Sequence, residues 1–252
     1  MMKNGPKPAQ KAEVRLKPTL NPRRFDNPMN ITSLYESIHQ KNIACIRKGD
    51  ILVDPYLRDS VPDFRRGISL IIPLSRIAKN YERATQVLRK QEPGQYYYPS
   101  ADLHITVFDL ISAHPRYLPS AALDDTFVSL ASEALATFNS FYVTFKGIVF
   151  SREAGLLTGY DNGSVVALRE KIRAHLPQYG IANTERYESK SVHATFVRFR
   201  KALTQPSLFA DVIETCREVE IGEEPIQSIS LVEHDWYNRK ISTRTIKTFQ
   251  LK

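Results

Sequence analysis

The sequence contains two short segments with a shared pattern, LHITVFDL at residues 103–110 and VHATFVRF at residues 192–199. Both are rich in β-branched and aromatic residues, which favour strands. Each places a histidine two positions before a threonine, as His104-Ile105-Thr106 and His193-Ala194-Thr195. Because side chains alternate between the two faces of a strand, each histidine projects from the same face as its threonine. We therefore predict two strands, each carrying a polar pair on an otherwise apolar segment.

The periodicity of apolar residues around these strands predicts an α+β fold built mainly from antiparallel strands. The order of elements is similar in the two halves of the chain, which suggests two similar lobes. The predicted strands lie at residues 50–53, 65–74, 103–111, 141–150, 155–160, 191–200, 225–234 and 242–251. The predicted helices lie at residues 33–41, 74–88, 123–138, 165–176 and 207–216.

The beginning of the chain differs in composition from the remainder. Residues 1–28 are rich in proline, lysine and arginine and show no apolar periodicity. Such a composition is typical of a segment that does not pack into a core. We predict a flexible basic arm over residues 1–28 and a single two-lobed domain over residues 29–252.

Composition and charge restrict the class of protein. A chain of 252 residues with 42% hydrophobic and 25% charged residues is typical of a soluble globular protein. Its net charge of +8 favours polyanionic partners such as RNA or nucleotides. Cys45 and Cys216 are too few for a disulfide framework, and the strongest apolar run, Ile68 to Leu74, is too short to span a bilayer. We expect a cytoplasmic monomer with no membrane association.

The paired residue types predict acid–base chemistry on a phosphate ester. Histidine titrates near neutrality, so one imidazole can accept a proton while a second, protonated imidazole donates one. Threonine hydroxyls can donate hydrogen bonds to phosphate oxygens, where negative charge is held in the transition state. We therefore predict His104 and His193 as catalytic residues and Thr106 and Thr195 as phosphate-binding residues, with no metal and no cofactor.

The two motifs resemble those of the 2H phosphoesterase superfamily, which includes LigT-like 2'-5' RNA ligases and 2',3'-cyclic nucleotide phosphodiesterases. The second motif is especially similar, because an arginine and an aromatic residue follow it at Arg198 and Phe199. The resemblance covers roughly residues 60–252. It implies a two-lobed LigT-like fold with mainly antiparallel sheets flanking a central cleft.

In that family, one motif histidine is the general base, the other is the general acid, and both threonines contact the scissile phosphate. The resemblance implies these roles for His104, His193, Thr106 and Thr195. It does not say which histidine is the acid, because that depends on the bond and on the direction of the reaction.

A second group of side chains is predicted to contact the substrate beyond its phosphate. If alternation is regular, Phe108 lies on the His104 face and Phe199 on the His193 face, where either ring could stack on a nucleobase. Tyr98 is a similar candidate just before the first motif. Regular alternation turns Arg198 away from His193, so contact between Arg198 and the phosphate requires a bend in the strand.

The leading hypothesis is metal-independent hydrolysis of a cyclic phosphodiester, the 2',3'-cyclic phosphate of an RNA end or a nucleotide. One alternative is 2'-5' RNA ligation, which is the same chemistry in the direction of bond formation. The other alternative is a non-catalytic protein that binds RNA or nucleotides in the same cleft.

Overall fold

The fold is taken from a computed structural model that describes residues 30–58, 61–183, 185 and 188–252. The predicted basic arm at residues 1–28 lies outside the described residues. Within these ranges no helix is long and apolar enough to cross a membrane.

The described strands form one antiparallel sheet. In chain order they are β1 (Arg66–Pro73), β2 (Tyr96–Tyr97), β3 (His104–His114), β4 (Phe141–Phe150), β5 (Ala154–Tyr160), β6 (Val192–Arg198), β7 (Glu220–Ile226), β8 (Ser228–Asp235) and β9 (Arg244–Gln250). Their order across the sheet is β7-β4-β5-β6-β3-β1-β8-β9, and β2 pairs with β6.

This order divides the sheet into two lobes at its centre. One lobe contains β7, β4, β5 and β6, and the other contains β3, β1, β8 and β9. The lobes meet where β6 lies antiparallel to β3, with Ile105 paired to Ala194. The predicted two-lobed α+β fold is therefore confirmed, and the two motif strands form the junction between the lobes.

Helices cover the sheet and bury its apolar side chains. They are α1 (Ile31–Arg47), α2 (Ala78–Ala84), α3 (Gln86–Gln91), α4 (Ala121–Leu135), α5 (Ser164–His175) and α6 (Pro206–Thr215). The main core contains Ile105 and Ala194 from the motif strands together with side chains of α2 to α6. A smaller cluster joins Tyr35 of α1 to Val149 and Leu156.

Some helix ends are held by distant side chains. The side chain of Asn30 accepts the N–H of Thr32 and so caps α1. The buried carboxylate of Glu224 in β7 accepts the N–H groups just before α2, those of Ser75, Arg76 and Ile77. A carboxylate at a helix start also interacts favourably with the helix dipole, so this contact ties α2 to the sheet.

The structure differs from the sequence prediction in three segments. The predicted strand at residues 50–53 is wrong, because the chain turns at Asp54 into the 3-10 turn Pro55–Leu57 instead of joining the sheet. The predicted helix at residues 74–88 is two helices that meet at Thr85, whose hydroxyl donates to the Tyr81 carbonyl. The predicted strand at residues 225–234 belongs to two strands, β7 and β8.

Gly155 in β5 provides a test of how closely the junction strand β6 is packed. A Cβ atom at this position would lie 2.6 Å from Val197 Cγ1 and 2.7 Å from the Phe150 ring. Both neighbours are buried, so we expect Gly155→Ala to lower the free energy of unfolding by about 1–3 kcal/mol in urea denaturation.

Gly94→Ala is the matched control for this substitution. Its Cβ would meet the flexible end of the Lys201 side chain, which can move aside, so we expect a change within about 0.5 kcal/mol. Equal stability of the two variants would contradict the packing described for β5 and β6.

Candidate active site

The four polar side chains of the two motifs share one face of the sheet at the lobe junction. Ile105 and Ala194 are paired across the junction, and both are buried in the core. The flanking residues therefore project to the opposite face, which we call the motif face. Antiparallel alignment about this pair sets His104 beside Thr195 and Thr106 beside His193, and we call these four the motif residues.

Each motif histidine is oriented through its Nδ1 atom by the residue two positions earlier. Nδ1 of His104 lies 2.8 Å from the backbone carbonyl oxygen of Asp102. A carbonyl oxygen only accepts, so this Nδ1 carries a hydrogen, and Nε2 is the basic nitrogen of the neutral ring. Nδ1 of His193 lies 2.7 Å from the Ser191 hydroxyl, which can donate or accept.

The surroundings disfavour the charged form of both imidazoles. Burial is the main cause that lowers the pKa of His104 to about 4, although its hydrogen bond to the Asp102 carbonyl opposes the shift. Burial also lowers the pKa of His193 to about 4, and the charges of Arg169, of His104 when it is protonated, and of Arg198 add to this effect. Both rings are therefore neutral at pH 7 in the free protein.

A β-bulge in β6 brings Arg198 onto the motif face. Leu156 of β5 pairs with Thr195, but the preceding residue of β5, Gly155, pairs with Val197, so Phe196 is an extra residue in β6. Phe196 and Val197 are both buried, so these two successive residues share the core side of the strand. Alternation then resumes, and Arg198 lies on the face that carries Thr195. The charge of Arg198 lowers the pKa of both motif histidines. The bend that contact with a phosphate requires is thus present.

The same kind of irregularity follows the first motif and corrects the prediction for Phe108. Ile71 of β1 pairs with Thr106 and Leu70 pairs with Phe108, so Val107 is an extra residue in β3. Val107 and Phe108 are both buried in the core. Phe108 therefore does not lie on the His104 face.

Two other predicted stacking residues are also unavailable to a ligand. Phe199 is fully buried and packs on Phe150 and Phe209, because the bulge in β6 reverses the face on which it lies. Tyr98 is buried as well, and its hydroxyl accepts a hydrogen bond of 3.1 Å from Arg198 Nε. The prediction that Tyr98 and Phe199 stack on substrate is wrong on this geometry, whereas Tyr98 positions Arg198.

Beyond the first bulge, a chain of hydrogen bonds crosses the lobe formed by β3, β1 and β8. The Ser69 hydroxyl lies 2.6 Å from Asp109 Oδ1 and 2.6 Å from His234 Nε2. Nδ1 of His234 lies 2.6 Å from the carbonyl oxygen of Asp235 and therefore carries a hydrogen. These contacts connect the side chains of β1, β3 and β8 across this lobe.

Arg169 of α5 connects the two motif strands from the core side. Its Nε and Nη2 donate to the carbonyl oxygens of Val107 and Thr106 in β3, each at 2.8 Å. Its Nη1 donates to the carbonyl oxygen of Ser191 at 2.9 Å, immediately before β6. The side chain is 1% exposed, so these bonds are formed away from water. Arg169 thus bridges the strands where their own pairing ends.

Arg169 also contributes positive charge beneath the motif face. Burial lowers its pKa to about 10, so the guanidinium remains charged at neutral pH. The carbonyl oxygens that accept its hydrogen bonds carry no full negative charge. The residue was not found by sequence reasoning, because an arginine on an amphipathic helix is normally solvent-exposed.

Helix α1 is anchored to β6 beside the second motif. The buried Tyr35 hydroxyl accepts the N–H of Val192 at 3.0 Å and donates to the Val192 carbonyl at 2.6 Å. Tyr35 also packs with Leu156, the β5 neighbour of Thr195. The first half of α1 therefore packs beside the second motif, next to the β5 residue that pairs with Thr195.

The assembled site combines two imidazoles, two hydroxyls and a guanidinium, a set suited to proton transfer and to binding an oxyanion. Among the residues that the structure describes, no group of three or more His, Cys, Asp or Glu side chains is arranged to hold a metal ion.

The chain belongs to the 2'-5' RNA ligase superfamily, because the model of that family matches residues 74–235, more than half of the chain. This match confirms the resemblance to the 2H phosphoesterases. The matched region, residues 74–235, includes both histidine motifs, Arg169 and Arg198. A comparison with curated protein sequences finds no match.

Solved structures show the same fold at low sequence identity. The protein TT0787 of Thermus thermophilus is 17% identical with a TM-score of 0.53, over 73% of this chain and 97% of its own. A crystal structure described as a phosphoesterase is 16% identical with a TM-score of 0.50, over 76% of this chain and 99% of its own. E. coli LigT in complex with NADP+ is 16% identical with a TM-score of 0.50, over 75% of this chain and 98% of its own.

The bridging role of Arg169 predicts a large loss of stability in Arg169→Met. Methionine keeps the helix propensity and much of the volume but leaves the carbonyl oxygens of Thr106, Val107 and Ser191 without this donor. We expect the free energy of unfolding in urea to fall by about 3 kcal/mol or more.

Arg47→Met makes the same substitution on another helix. Arg47 pairs with Asp211 at the surface, and such pairs contribute about 1 kcal/mol or less. If Arg169→Met proved no more destabilising than Arg47→Met, Arg169 would not be what connects β3 to β6.

Proposed function

We propose that this chain is a phosphoesterase that hydrolyses a cyclic phosphodiester, the 2',3'-cyclic phosphate of an RNA end or a nucleotide. The proposal rests mainly on one observation: both histidine–threonine pairs lie on one face of the sheet, where β3 pairs with β6 at the lobe junction. Membership of the 2'-5' RNA ligase superfamily supports chemistry on a phosphate ester. The net charge of +8 favours a polyanionic substrate.

In the proposed reaction the two imidazoles move protons on opposite sides of the phosphorus. The neutral histidine takes a proton from water as the water oxygen bonds to phosphorus. The bond from phosphorus to one ribose oxygen breaks, and the protonated histidine donates its proton to that oxygen. His104 and His193 fill these two roles, and the reaction requires no metal or cofactor.

The remaining polar groups stabilise the phosphate as negative charge shifts onto its non-bridging oxygens. The hydroxyls of Thr106 and Thr195 donate hydrogen bonds to those oxygens. Arg198 adds a full positive charge on the same face, fixed in place by the Tyr98 hydroxyl. These groups are oriented before substrate arrives, so little reorganisation accompanies the reaction.

Binding of the substrate anion favours protonation of one of the two histidines by solvent. Both histidines are neutral at pH 7 in the free protein, yet the reaction needs one of them charged. A phosphate anion between the rings favours the imidazolium form and raises the pKa of the ring that it contacts. The substrate thus selects the catalytically active protonation state.

The second candidate function is 2'-5' RNA ligation, which the description of the matching family favours. The same residues would act on the same cyclic phosphate, with the 5'-hydroxyl of a second RNA in place of water: one histidine takes the proton of that hydroxyl as its oxygen bonds to phosphorus, and the other donates a proton to the ribose oxygen that leaves. Analysis of products from an RNA carrying a 2',3'-cyclic phosphate end, with and without an RNA bearing a 5'-hydroxyl, distinguishes ligation from hydrolysis.

The third candidate is nucleotide or RNA binding without turnover. E. coli LigT, which has the same fold, has been solved in complex with NADP+, and this supports nucleotide binding by the present chain. Salt-dependent RNA binding that survives alanine at both motif histidines, in the absence of turnover, would favour this function. For all three candidates we expect a cytoplasmic monomer.

Single substitutions in the motifs test the catalytic assignment. We expect His104→Ala and His193→Ala each to lower the turnover of a 2',3'-cyclic nucleotide by about a hundredfold or more, since each removes one proton transfer. Thr106→Ala and Thr195→Ala should be impaired because each loses a hydrogen bond to the phosphate. A chelator such as EDTA should leave the wild type unaffected.

His114→Ala is the control, because His114 is exposed at the end of β3. Full activity in either motif-histidine variant would overturn the paired acid–base assignment. Strong inhibition by the chelator, reversed by a divalent ion, would overturn the metal-independent mechanism.

The depressed histidine pKa values predict a specific pH dependence. One ring must be charged and the other neutral, so kcat/KM should be bell-shaped around the pKa values of about 4 in the free protein. Between about pH 5 and 8, kcat/KM should therefore fall as pH rises. The profile of kcat should lie at higher pH, because bound phosphate raises these pKa values. A kcat/KM that rises over this range would contradict the proposed protonation states.

A further inference from the structure

A layered cluster of two aromatic rings and a guanidinium lies outside the region that matches the family. It consists of Tyr56, Arg65 and Trp236, which precede residue 74 or follow residue 235. The Arg65 guanidinium lies 4.0 Å from the centre of the Tyr56 ring and 4.4 Å from the centre of the Trp236 ring. We call these three residues the aromatic stack.

The aromatic stack is held rigidly by carboxylates beneath it. Arg65 donates from Nε and Nη2 to the two carboxylate oxygens of Asp63, each at 2.8 Å. Its Nη2 also lies 3.2 Å from the Tyr237 hydroxyl, which donates to Asp54 at 3.0 Å. This bidentate pairing fixes the plane of the guanidinium, which both rings contact.

Both rings of the aromatic stack remain open to solvent. Trp236 and Tyr56 are each 39% exposed, although rings of this size bury well in a core. Asp63 and Asp54 already compensate the charge of Arg65, so the exposed rings are not needed to hold it. A rigid exposed aromatic surface is suited to a flat ligand such as a nucleobase.

Arg198 connects the aromatic stack to the motif face. Its guanidinium carbon lies 5.9 Å from the centre of the Trp236 ring. The charge of the same side chain lowers the pKa of both His104 and His193. A phosphate at the histidines and a planar group at Trp236 would therefore both lie close to Arg198.

We propose that the aromatic stack binds the nucleobase of the nucleotide whose phosphate occupies the histidine site. This rests on the proposed function for the position of the phosphate. Stacking uses the face of the base and no edge-specific hydrogen bonds, so the site accepts any base and binds the larger purines more tightly. The preferred substrate is thus a nucleotide or RNA end, as opposed to a phosphate ester without a base.

Trp236 is the one tryptophan of the sequence, so intrinsic fluorescence reports directly on the aromatic stack. The full chain is titrated with 3'-AMP, with 3'-UMP and with two ligands that lack a base, ribose 5-phosphate and inorganic phosphate. Calorimetry measures binding of all four in parallel. We expect 3'-AMP to quench the fluorescence most, 3'-UMP less, and the ligands without a base to bind with little quenching.

Substitutions then separate stacking from phosphate binding. We expect Trp236→Leu to weaken binding of 3'-AMP by about tenfold to a hundredfold and to leave the affinity for inorganic phosphate unchanged. Trp236→Phe should retain most of the affinity, because it keeps an aromatic face. Tyr142→Leu removes an exposed ring from β4 and should change neither affinity. Circular dichroism establishes whether each variant folds. If Trp236→Leu does not fold, the fluorescence titration of the wild-type protein still tests stacking.

The outcomes distinguish this proposal from the proposed function. If 3'-AMP binds no better than phosphate, or binds without changing the fluorescence, the stacking proposal is overturned and the histidine site stands. If 3'-AMP quenches the fluorescence but inorganic phosphate does not bind, the stack is supported and the proposed phosphate site fails. If none of the four ligands binds, both are overturned.

Discussion

The contact between β3 and β6 is the constraint on which the candidate site depends. The two lobes of the sheet meet at Ile105 and Ala194, and this pairing places both histidine–threonine pairs on the motif face. Arg169 extends the connection by donating to carbonyl oxygens on both sides of the junction. This buried guanidinium joins the strands beyond their single backbone pair and supplies positive charge below the motif face. The same side chain therefore supports the fold and the electrostatics of the site.

The β-bulges decide which side chains accompany the motif residues. Regular alternation would place Phe108 and Phe199 on the motif face and would turn Arg198 into the core. The extra residues Val107 and Phe196 reverse this arrangement, so the rings enter the core and Arg198 joins the histidines. Under the proposed function, this exchange replaces two apolar rings by one cation beside the phosphate. Nucleobase binding then falls to residues outside the matched family region, where the aromatic stack is exposed.

The sequence was sufficient for those features that depend on local pattern. Alternation along 103–110 and 192–199 predicted strands that carry the histidines and threonines on one face, and periodicity located most helices. The bulges could not be predicted, because they arise from register with β1 and β5, which are distant in sequence. The role of Arg169 could not be predicted, because its partners are backbone carbonyl oxygens of other elements and every residue has such a group whatever its side chain. From the sequence, the end of a strand accounts for Trp236, and its contact with Arg65 could not be predicted because Arg65 lies far away in the chain.

The proposed mechanism requires His104 and His193 to bind one anion and to titrate as a coupled pair. Titration of both imidazoles by NMR, with and without inorganic phosphate, measures this coupling. Single His→Asn variants assign the two imidazole signals. We expect both rings to titrate near pH 4 without phosphate and phosphate to raise the pKa of both. Titration of the two rings near the ordinary histidine pKa of about 6.5, with no response to phosphate, would contradict the proposed mechanism.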